Sequence, residues 1–115
     1  MSYRTVAYID IEEQGKSEYF KAKATELQNN YYDPILRLKK TTGYYGTAVA
    51  SSNNEGDHAD TYDVKSSEKV ASIQDTLSQY EQFLRDLNAC ISTAQNLSAQ
   101  YAISMHKTRS EYYPD

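Results

Sequence analysis

The feature that most constrains the fold is a repeat of apolar side chains, with a period of 3.5 residues, across residues 66–109. No Gly or Pro interrupts this segment, and polar side chains such as Glu68 and Gln82 separate the apolar ones. With Val70 at heptad position a, the a positions are Val70, Leu77, Leu84, Ile91, Ser98 and Met105, and the d positions are Ile73, Tyr80, Leu87, Ala94, Tyr101 and Thr108. This pattern predicts one amphipathic helix of the coiled-coil type.

The length of this helix and the width of its apolar face bear on what surrounds it. At about 1.5 Å per residue it would be roughly 65 Å long, whereas a compact chain of this size has a radius of gyration of about 13–14 Å. We therefore expect an elongated molecule. Phe83, Cys90 and Leu97 occupy successive g positions and widen the face. A wide face is typical of a helix with two neighbours, but packing on one helix and its loop explains it too.

The first half of the chain shows a weaker helical pattern. Asp10 and Glu13 have the spacing of a capping box, which predicts a helix start. Asp33-Pro34 is a second start signal, so the helix is expected to kink or restart there. Residues 5–9 are β-prone and are read as an extended arm or an early helical turn. The apolar side chains at helical spacing are Phe20, Ala24, Leu27, Tyr31 and Leu38.

Between the two helical segments, residues 41–65 read as a loop because they contain three glycines and the run Ser51–Asn54. The sequence thus predicts a single all-α domain over residues 1–115. It would be an elongated helical hairpin with coiled-coil-like packing, with helix 1 at about 10–40, a loop at 41–65 and a long helix 2 at about 66–110.

Composition excludes several classes of function. The net charge is −4, and no run of basic residues is longer than Lys39-Lys40, so a nucleic-acid partner is not expected. No apolar stretch approaches the roughly 18 residues of a membrane span. A single cysteine cannot form an internal disulfide. Without a recognisable signal peptide, the cytoplasm is the expected location, and export by a leaderless route is the alternative.

No catalytic, cofactor or metal site is expected. Residues 51–62 depart from a calcium-binding loop at Ser51 and Tyr62. His58 lies among acidic residues, but an exposed acidic loop explains this cluster better than a metal site does. Cys90 in mid-helix lacks the base that a catalytic thiol requires. The chain is therefore not expected to be an enzyme.

The layout of a helix, an aromatic-x-Gly tripeptide and a longer helix resembles the WXG100 (ESX) family and the small helical partners of LXG toxins in type VII secretion. Tyr44-Tyr45-Gly46 corresponds to the Trp-x-Gly of that family, with Tyr in place of Trp. The resemblance implies a hairpin with this tripeptide at its turn. The family's C-terminal Tyr-x-x-x-Asp/Glu export signal is missing, since Met105 follows Tyr101 at that spacing. The chain would then depend on the export signal of another protein.

The favoured hypothesis is a binding module whose partner is a homodimer mate or a helical client such as a secreted toxin, for which it would be a targeting factor or chaperone. The partner is expected on the part of the apolar face that the shorter first helix leaves uncovered. The alternatives are a structural coiled-coil homo-oligomer of a phage or scaffold, and an antitoxin or immunity protein whose Glu55, Asp57, Asp60 and Asp63 imitate a nucleic acid. The predicted interaction residues are Val70, Ile73, Leu77, Tyr80, Phe83, Leu84, Leu87, Cys90, Ile91, Leu97 and Tyr101.

Overall fold

The structure is a computed structural model that describes residues 1–54 and 59–114, and it describes the side chains of residues 1–50 and 67–114. The fold is predominantly helical with a small two-stranded sheet, which confirms the predicted all-α, hairpin-like class. The elements are β1 (Ser2–Ile9), α1 (Ile11–Leu27), a π-helical turn (Gln28–Tyr32), α2 (Asp33–Asn54), α3 (Ala59–Ser104) and β2 (His106–Tyr113). The described chain forms two compact units, and α3 contributes to both. The prediction of a single domain stays a prediction.

The first unit comprises Met1–Leu27 and Ala89–Asp115. Here α1 packs antiparallel against the C-terminal part of α3, and β1 pairs antiparallel with β2, from Ser2 opposite Tyr113 to Ile9 opposite His106. The buried side chains of this unit are Ala24, Ile91 and Ala94. Two of these three occupy a and d positions of the repeat, so the apolar face of α3 turns inward as predicted.

The predicted cap at Asp10 is confirmed. Its Oδ1 accepts hydrogen bonds from the N–H groups of Glu12 (3.1 Å) and Glu13 (3.3 Å), which would otherwise lack partners at the start of α1. The Lys107 ammonium donates to Asp10 Oδ2 at 2.5 Å. This bond lowers the pKa of Asp10 and raises the pKa of Lys107. The first turn of α1 is thereby tied to β2.

The second unit is Gln28–Asn88. In it α2 lies antiparallel to the N-terminal part of α3. Lys39 Nζ is 3.6 Å from Glu81 Oε1, and a Cβ added to Gly46 would lie 3.0 Å from Ile73 Cγ2. Leu84 is the buried residue of this unit within the described side chains. The second unit is thus also a pair of packed helices.

The predicted kink or restart at Asp33-Pro34 takes the form of a π-helical turn followed directly by α2. Pro34 has no N–H, and its ring would collide with the carbonyl four residues earlier in a regular α-helix. A wider turn accommodates this residue. Gln28 Nε2 also donates to Asp33 Oδ1 at 2.8 Å across the turn. The chain therefore stays helical through this point.

The prediction of a loop over residues 41–65, with helix 1 ending near residue 40, is wrong. Helix α2 continues to Asn54, and α3 begins at Ala59. Gly43 and Gly46 lower helix propensity by about 1 kcal/mol each against Ala. Tertiary packing outweighs that cost here, because the glycine-containing face of α2 lies against the apolar face of α3. No glycine among the described residues has a positive φ, so none of them marks a turn.

The predicted end of helix 2 near residue 110 is also wrong. Helix α3 ends at Ser104 rather than near residue 110, and β2 occupies His106–Tyr113. The Met105 N–H still donates to the Tyr101 carbonyl, but the Met105 carbonyl accepts the N–H of Asp10 at 2.8 Å. This contact starts the pairing with β1, and β1 confirms the extended-arm interpretation of residues 5–9.

Candidate functional site: an apolar groove beside α1 and α3

The predicted interaction residues divide into an inward-facing set and an exposed flank. The exposed flank consists of Phe83, whose side chain is 50% exposed, and Cys90. Leu84 and Ile91 are buried. The half-buried members are Val70, Ile73, Leu77, Tyr80, Leu87, Leu97 and Tyr101. Whether any of these side chains binds another protein stays a prediction.

The expectation that the first-half helix is too short to accompany α3 is wrong. The first half of the chain is helical from residue 11 to residue 54, so a first-half helix accompanies α3 in each unit. In the second unit, Val70, Ile73 and Leu77 line the same space, of about 360 Å³, as Gly43 and Gly46 of α2. Among the described members of the predicted interaction set, the exposed ones are Phe83 and Cys90, both at g positions on the flank of the face.

Within the first unit, Cys90 lines an open groove with a volume of about 350 Å³. We call it the α1–α3 groove. Both helices, α1 and α3, contribute side chains to its lining. Its lining residues are Phe20, Lys23, Leu27, Ala89, Cys90, Thr93, Ala94 and Leu97. The groove therefore includes two predicted interaction residues, Cys90 and Leu97.

Aromatic contacts fix the wall that Phe20 provides. Its ring stacks on Tyr101 with 5.9 Å between centroids and 4° between planes, and Tyr19 meets it edge-on at 5.2 Å. Lys16 Nζ lies 5.3 Å from the centre of the Tyr101 ring. Such aromatic pairs contribute about 0.5–1.5 kcal/mol beyond the area they bury. These contacts favour the orientation in which Phe20 lines the groove.

Two serines bring α1 and α3 together near the groove. Ser17 Oγ donates to the Ser98 carbonyl at 2.8 Å, and Ser98 Oγ donates to the Ser17 carbonyl at 2.8 Å. Ser98 occupies an a position, where an apolar residue is usual. A pair of small hydroxyl side chains lets the helices approach closely and sets their register through two hydrogen bonds.

The chemistry of the groove is that of a contact surface. Lys23 is the charged residue among the described lining residues, and its ammonium pairs with Glu26 at 3.4 Å. Cys90 is a free, exposed thiol, but no His or carboxylate lines the groove beside it. Among the described residues, no group of three or more His, Cys, Asp or Glu could hold a metal ion. The groove offers apolar surface for burial.

The predicted acidic loop cannot be placed relative to the groove. Glu55, Asp57 and His58 fall outside the described residues, as do the side chains of Asp60 and Asp63, so the acidic loop and its calcium-loop reading fall outside as well.

The placement of Tyr44-Tyr45-Gly46 at a hairpin turn is wrong, since the tripeptide lies inside α2. Tyr44 and Tyr45 are 76% and 57% exposed, whereas Gly46 faces Ile73. Gly46 therefore serves close helix packing rather than chain reversal.

Sequence reasoning missed part of the groove. Ala89 and Thr93 occupy f and c positions, which a heptad analysis assigns to the polar side of the helix. Their small size could have indicated the groove, because small side chains beside the g positions leave space between neighbouring large side chains. Phe20 and Leu27 did stand out through their helical spacing, but nothing in the sequence paired them with α3.

No family model matches the sequence, and no match was found to a curated protein or a solved structure. Among the described residues, no helix has the combination of length and apolarity needed to cross a membrane.

Proposed function

We propose that this chain is a non-enzymatic interaction protein that binds a helix of a protein partner in the α1–α3 groove. The observation that carries the proposal is the groove itself, whose lining combines the small residues Ala89, Cys90 and Thr93 with the large side chains of Phe20 and Leu97. A depression of this kind beside two packed helices accepts the side-chain ridge of a third helix.

The sparse burial of this chain supports the proposal. In the part of the chain that the structure describes, only Ala24, Leu84, Ile91 and Ala94 are buried. A bound helix would cover apolar area at about 25 cal/mol per Å². The chain therefore stands to gain burial from a partner, and a rigid wall at Phe20 lowers the ordering cost of binding.

The partner we propose is a helical region of a toxin exported by type VII secretion, for which this chain would be a targeting factor or chaperone. The support is the resemblance of the layout, in which a helical segment precedes the aromatic-x-Gly tripeptide Tyr44-Tyr45-Gly46 and a longer helical segment follows it. The glycine of that tripeptide, Gly46, allows α2 to approach Ile73 of α3 closely. We propose that the chain binds the toxin in the cytoplasm. In a variant of this proposal, the chain is exported together with the toxin.

The test is co-expression of the full chain with the helical regions of toxins encoded next to its gene, followed by affinity capture and a binding isotherm. Ala89→Arg puts a long charged side chain into the groove and should weaken binding at least about tenfold, or 1.4 kcal/mol. Ala99→Arg is the matched control, because Ala99 is an exposed alanine of α3 outside the groove lining. Helicity and melting temperature should be similar for both variants.

Equal binding by both variants, or capture of no neighbouring toxin, would contradict the proposal. The two alternatives predict other results. A structural homo-oligomer retains no client, and an antitoxin loses neutralisation when Asp60 and Asp63 are changed to Ala while the Ala89→Arg variant still neutralises.

A further inference from the structure

The β1–β2 ribbon has open edges. The sheet consists of two strands, so each strand has one side without a partner strand among the described residues. Such an edge presents a row of N–H and C=O groups to a further strand, and a two-stranded sheet is only marginally stable in water. Every residue of β1 except Val6 is exposed. The ribbon therefore has both the surface and the backbone groups to accept another strand.

The two strands differ in how their edges are protected. Strand β2 carries Lys107, Arg109 and Glu111 and is followed by Pro114. Charged side chains and proline are the means by which proteins keep edge strands from pairing. Strand β1 carries one charged residue, Arg4, in a segment that is otherwise rich in strand-forming residues. The free edge of β1 is therefore the less protected edge and the one more able to pair with another strand.

The two faces of the ribbon also differ, because side chains alternate along a strand. One face carries the charges. There Arg109 lies 5.2 Å from the Tyr8 ring centre and 2.6 Å from Glu111, and Arg4 lies 4.6 Å from the Tyr113 ring centre.

The opposite face has no Lys, Arg, Asp or Glu. Its cross-strand pairs are Tyr3 with Tyr112, Thr5 with Ser110, Ala7 with Thr108 and Ile9 with His106. The Tyr3 and Tyr112 rings are 5.3 Å apart, and their side chains are 74% and 46% exposed. We call this the neutral face.

We propose that β1 pairs with β1 of a second copy of this chain, antiparallel about a twofold axis, so that two ribbons form one four-stranded sheet. A twofold interface requires a surface that is complementary to itself. The neutral face of β1 carries its odd-numbered residues. The two neutral faces therefore join when odd-numbered residues of one copy face odd-numbered residues of the other, so that the two residue numbers of each facing pair have an even sum. With a sum of 12, Val6 faces Val6, Thr5 faces Ala7, and Tyr3 faces Ile9 of the second copy.

This register is self-complementary in side chains and charge. It puts the 74% exposed Tyr3 against the 41% exposed Ile9, an aromatic–aliphatic pair of the kind that stabilises sheets. Arg4 is the charged residue of β1, and it faces Tyr8, so no like charges oppose each other across the new strand pair. These features favour a second copy over a foreign strand as the occupant of this edge.

The test uses the full chain in sedimentation velocity at about 100 µM, where an interaction of micromolar affinity is populated. The wild type should sediment as a dimer, at twice the 13.1 kDa of the chain. Thr5→Lys with Ala7→Lys puts lysines opposite each other and should give the monomer mass. Thr5→Glu with Ala7→Glu should do the same, and an equimolar mixture of the two variants should restore the dimer. The matched control, Thr108→Lys with Ser110→Lys on the neutral face of β2, should stay dimeric.

A second measurement does not depend on those substitutions. Val6→Cys in a Cys90→Ser background should form a disulfide-linked dimer under mild oxidation, because the two Val6 positions face each other. Thr108→Cys in the same background should not. A monomeric wild type, or a dimer that the β1 lysines leave intact and that Val6→Cys does not cross-link, would overturn the proposal. Ala89→Arg should leave the dimer unchanged, so this inference and the proposed function fail separately.

Discussion

The two helix pairs of this chain are stabilised in different ways. In the first unit, reciprocal hydrogen bonds between Ser17 and Ser98 and the stack of Phe20 on Tyr101 fix how α1 meets α3. Among the described side chains of the second unit, α2 meets α3 through the close approach of Gly46 to Ile73 and the partly exposed ion pair of Lys39 with Glu81. Among the contacts of the described residues, directional hydrogen bonds predominate in the first unit, whereas the close fit of Gly46 against Ile73 predominates in the second. The groove proposed as the binding site belongs to the first unit.

The largest expected effects come from the buried aliphatic residue of each unit. Ile91 is 5% exposed in the first unit and Leu84 is 8% exposed in the second. Replacing either by Ala should lower the free energy of unfolding by about 2–5 kcal/mol, because contacts are lost and a cavity remains. Denaturant unfolding followed by circular dichroism measures the change. Ile103→Ala, at a 75% exposed site, is the control and should stay within about 0.5 kcal/mol of wild type. Costs under 1 kcal/mol at Ile91 and Leu84 would contradict the assigned cores.

The next effect separates shape from helix propensity in the second unit. Gly46→Leu forces a side chain into the 3.0 Å approach to Ile73 and should destabilise the chain by about 1–3 kcal/mol. Gly43→Leu should instead stabilise it by up to about 1 kcal/mol, because nothing lies within 4 Å of a Cβ there and leucine favours helix. Thermal unfolding of the two variants compares them directly. If both changed stability in the same direction, α2 would not pack through Gly46.

A smaller effect tests the hydrogen bonds of the first unit. Ser17→Ala and Ser98→Ala should each cost about 0.5–1.5 kcal/mol, because each removes one 2.8 Å bond between the helices. Ser92→Ala, at an exposed position of α3, provides the control and should be nearly neutral. If the two serine variants matched that control in urea unfolding, the first unit would be specified by shape, as the second is.

The smallest effect concerns pH. Hydrogen bonding to Lys107 lowers the pKa of Asp10 below its ordinary value of 3.8. A lowered folded pKa gives stability that is fully present above the unfolded pKa and is lost as pH falls through the folded pKa. The raised pKa of Lys107 gives a contribution that is present below 10.5 and lost only as pH rises through the folded pKa. Between pH 2 and 5, Asp10→Asn should therefore flatten the pH dependence of the melting temperature relative to wild type. Parallel curves would show that the bond contributes nothing.

The sequence predicted the parts of this fold that local pattern controls. The heptad at Leu84, Ile91 and Ala94 identified buried positions, and Asp10 identified the start of α1. The continuation of α2 to Asn54 could not be predicted in the same way, because Gly43 and Gly46 disfavour a helix and the compensating approach of Gly46 to Ile73 joins residues that are distant in the sequence.

The ribbon and the groove share a non-local origin that no sequence window contains. Strand β2 pairs with residues about 100 positions earlier in the chain; His106, for example, pairs with Ile9. Likewise, the groove exists only where Phe20 and Thr93 meet across two helices. Of the predicted surface, Cys90 and Leu97 lie in the groove, because the g positions flank the buried a and d positions.

The central claim, that a protein partner occupies the α1–α3 groove, can be tested most directly through the thiol of Cys90. The chain has one cysteine, and it is exposed in the groove, so a thiol reagent reports on this site alone. The labelling rate of Cys90 should be measured for the free chain and for its complex with a captured toxin helix. Labelling should slow at least about tenfold in the complex, as expected for a site covered by an interaction worth 1.4 kcal/mol or more. Equal labelling rates in the free chain and the complex would contradict it.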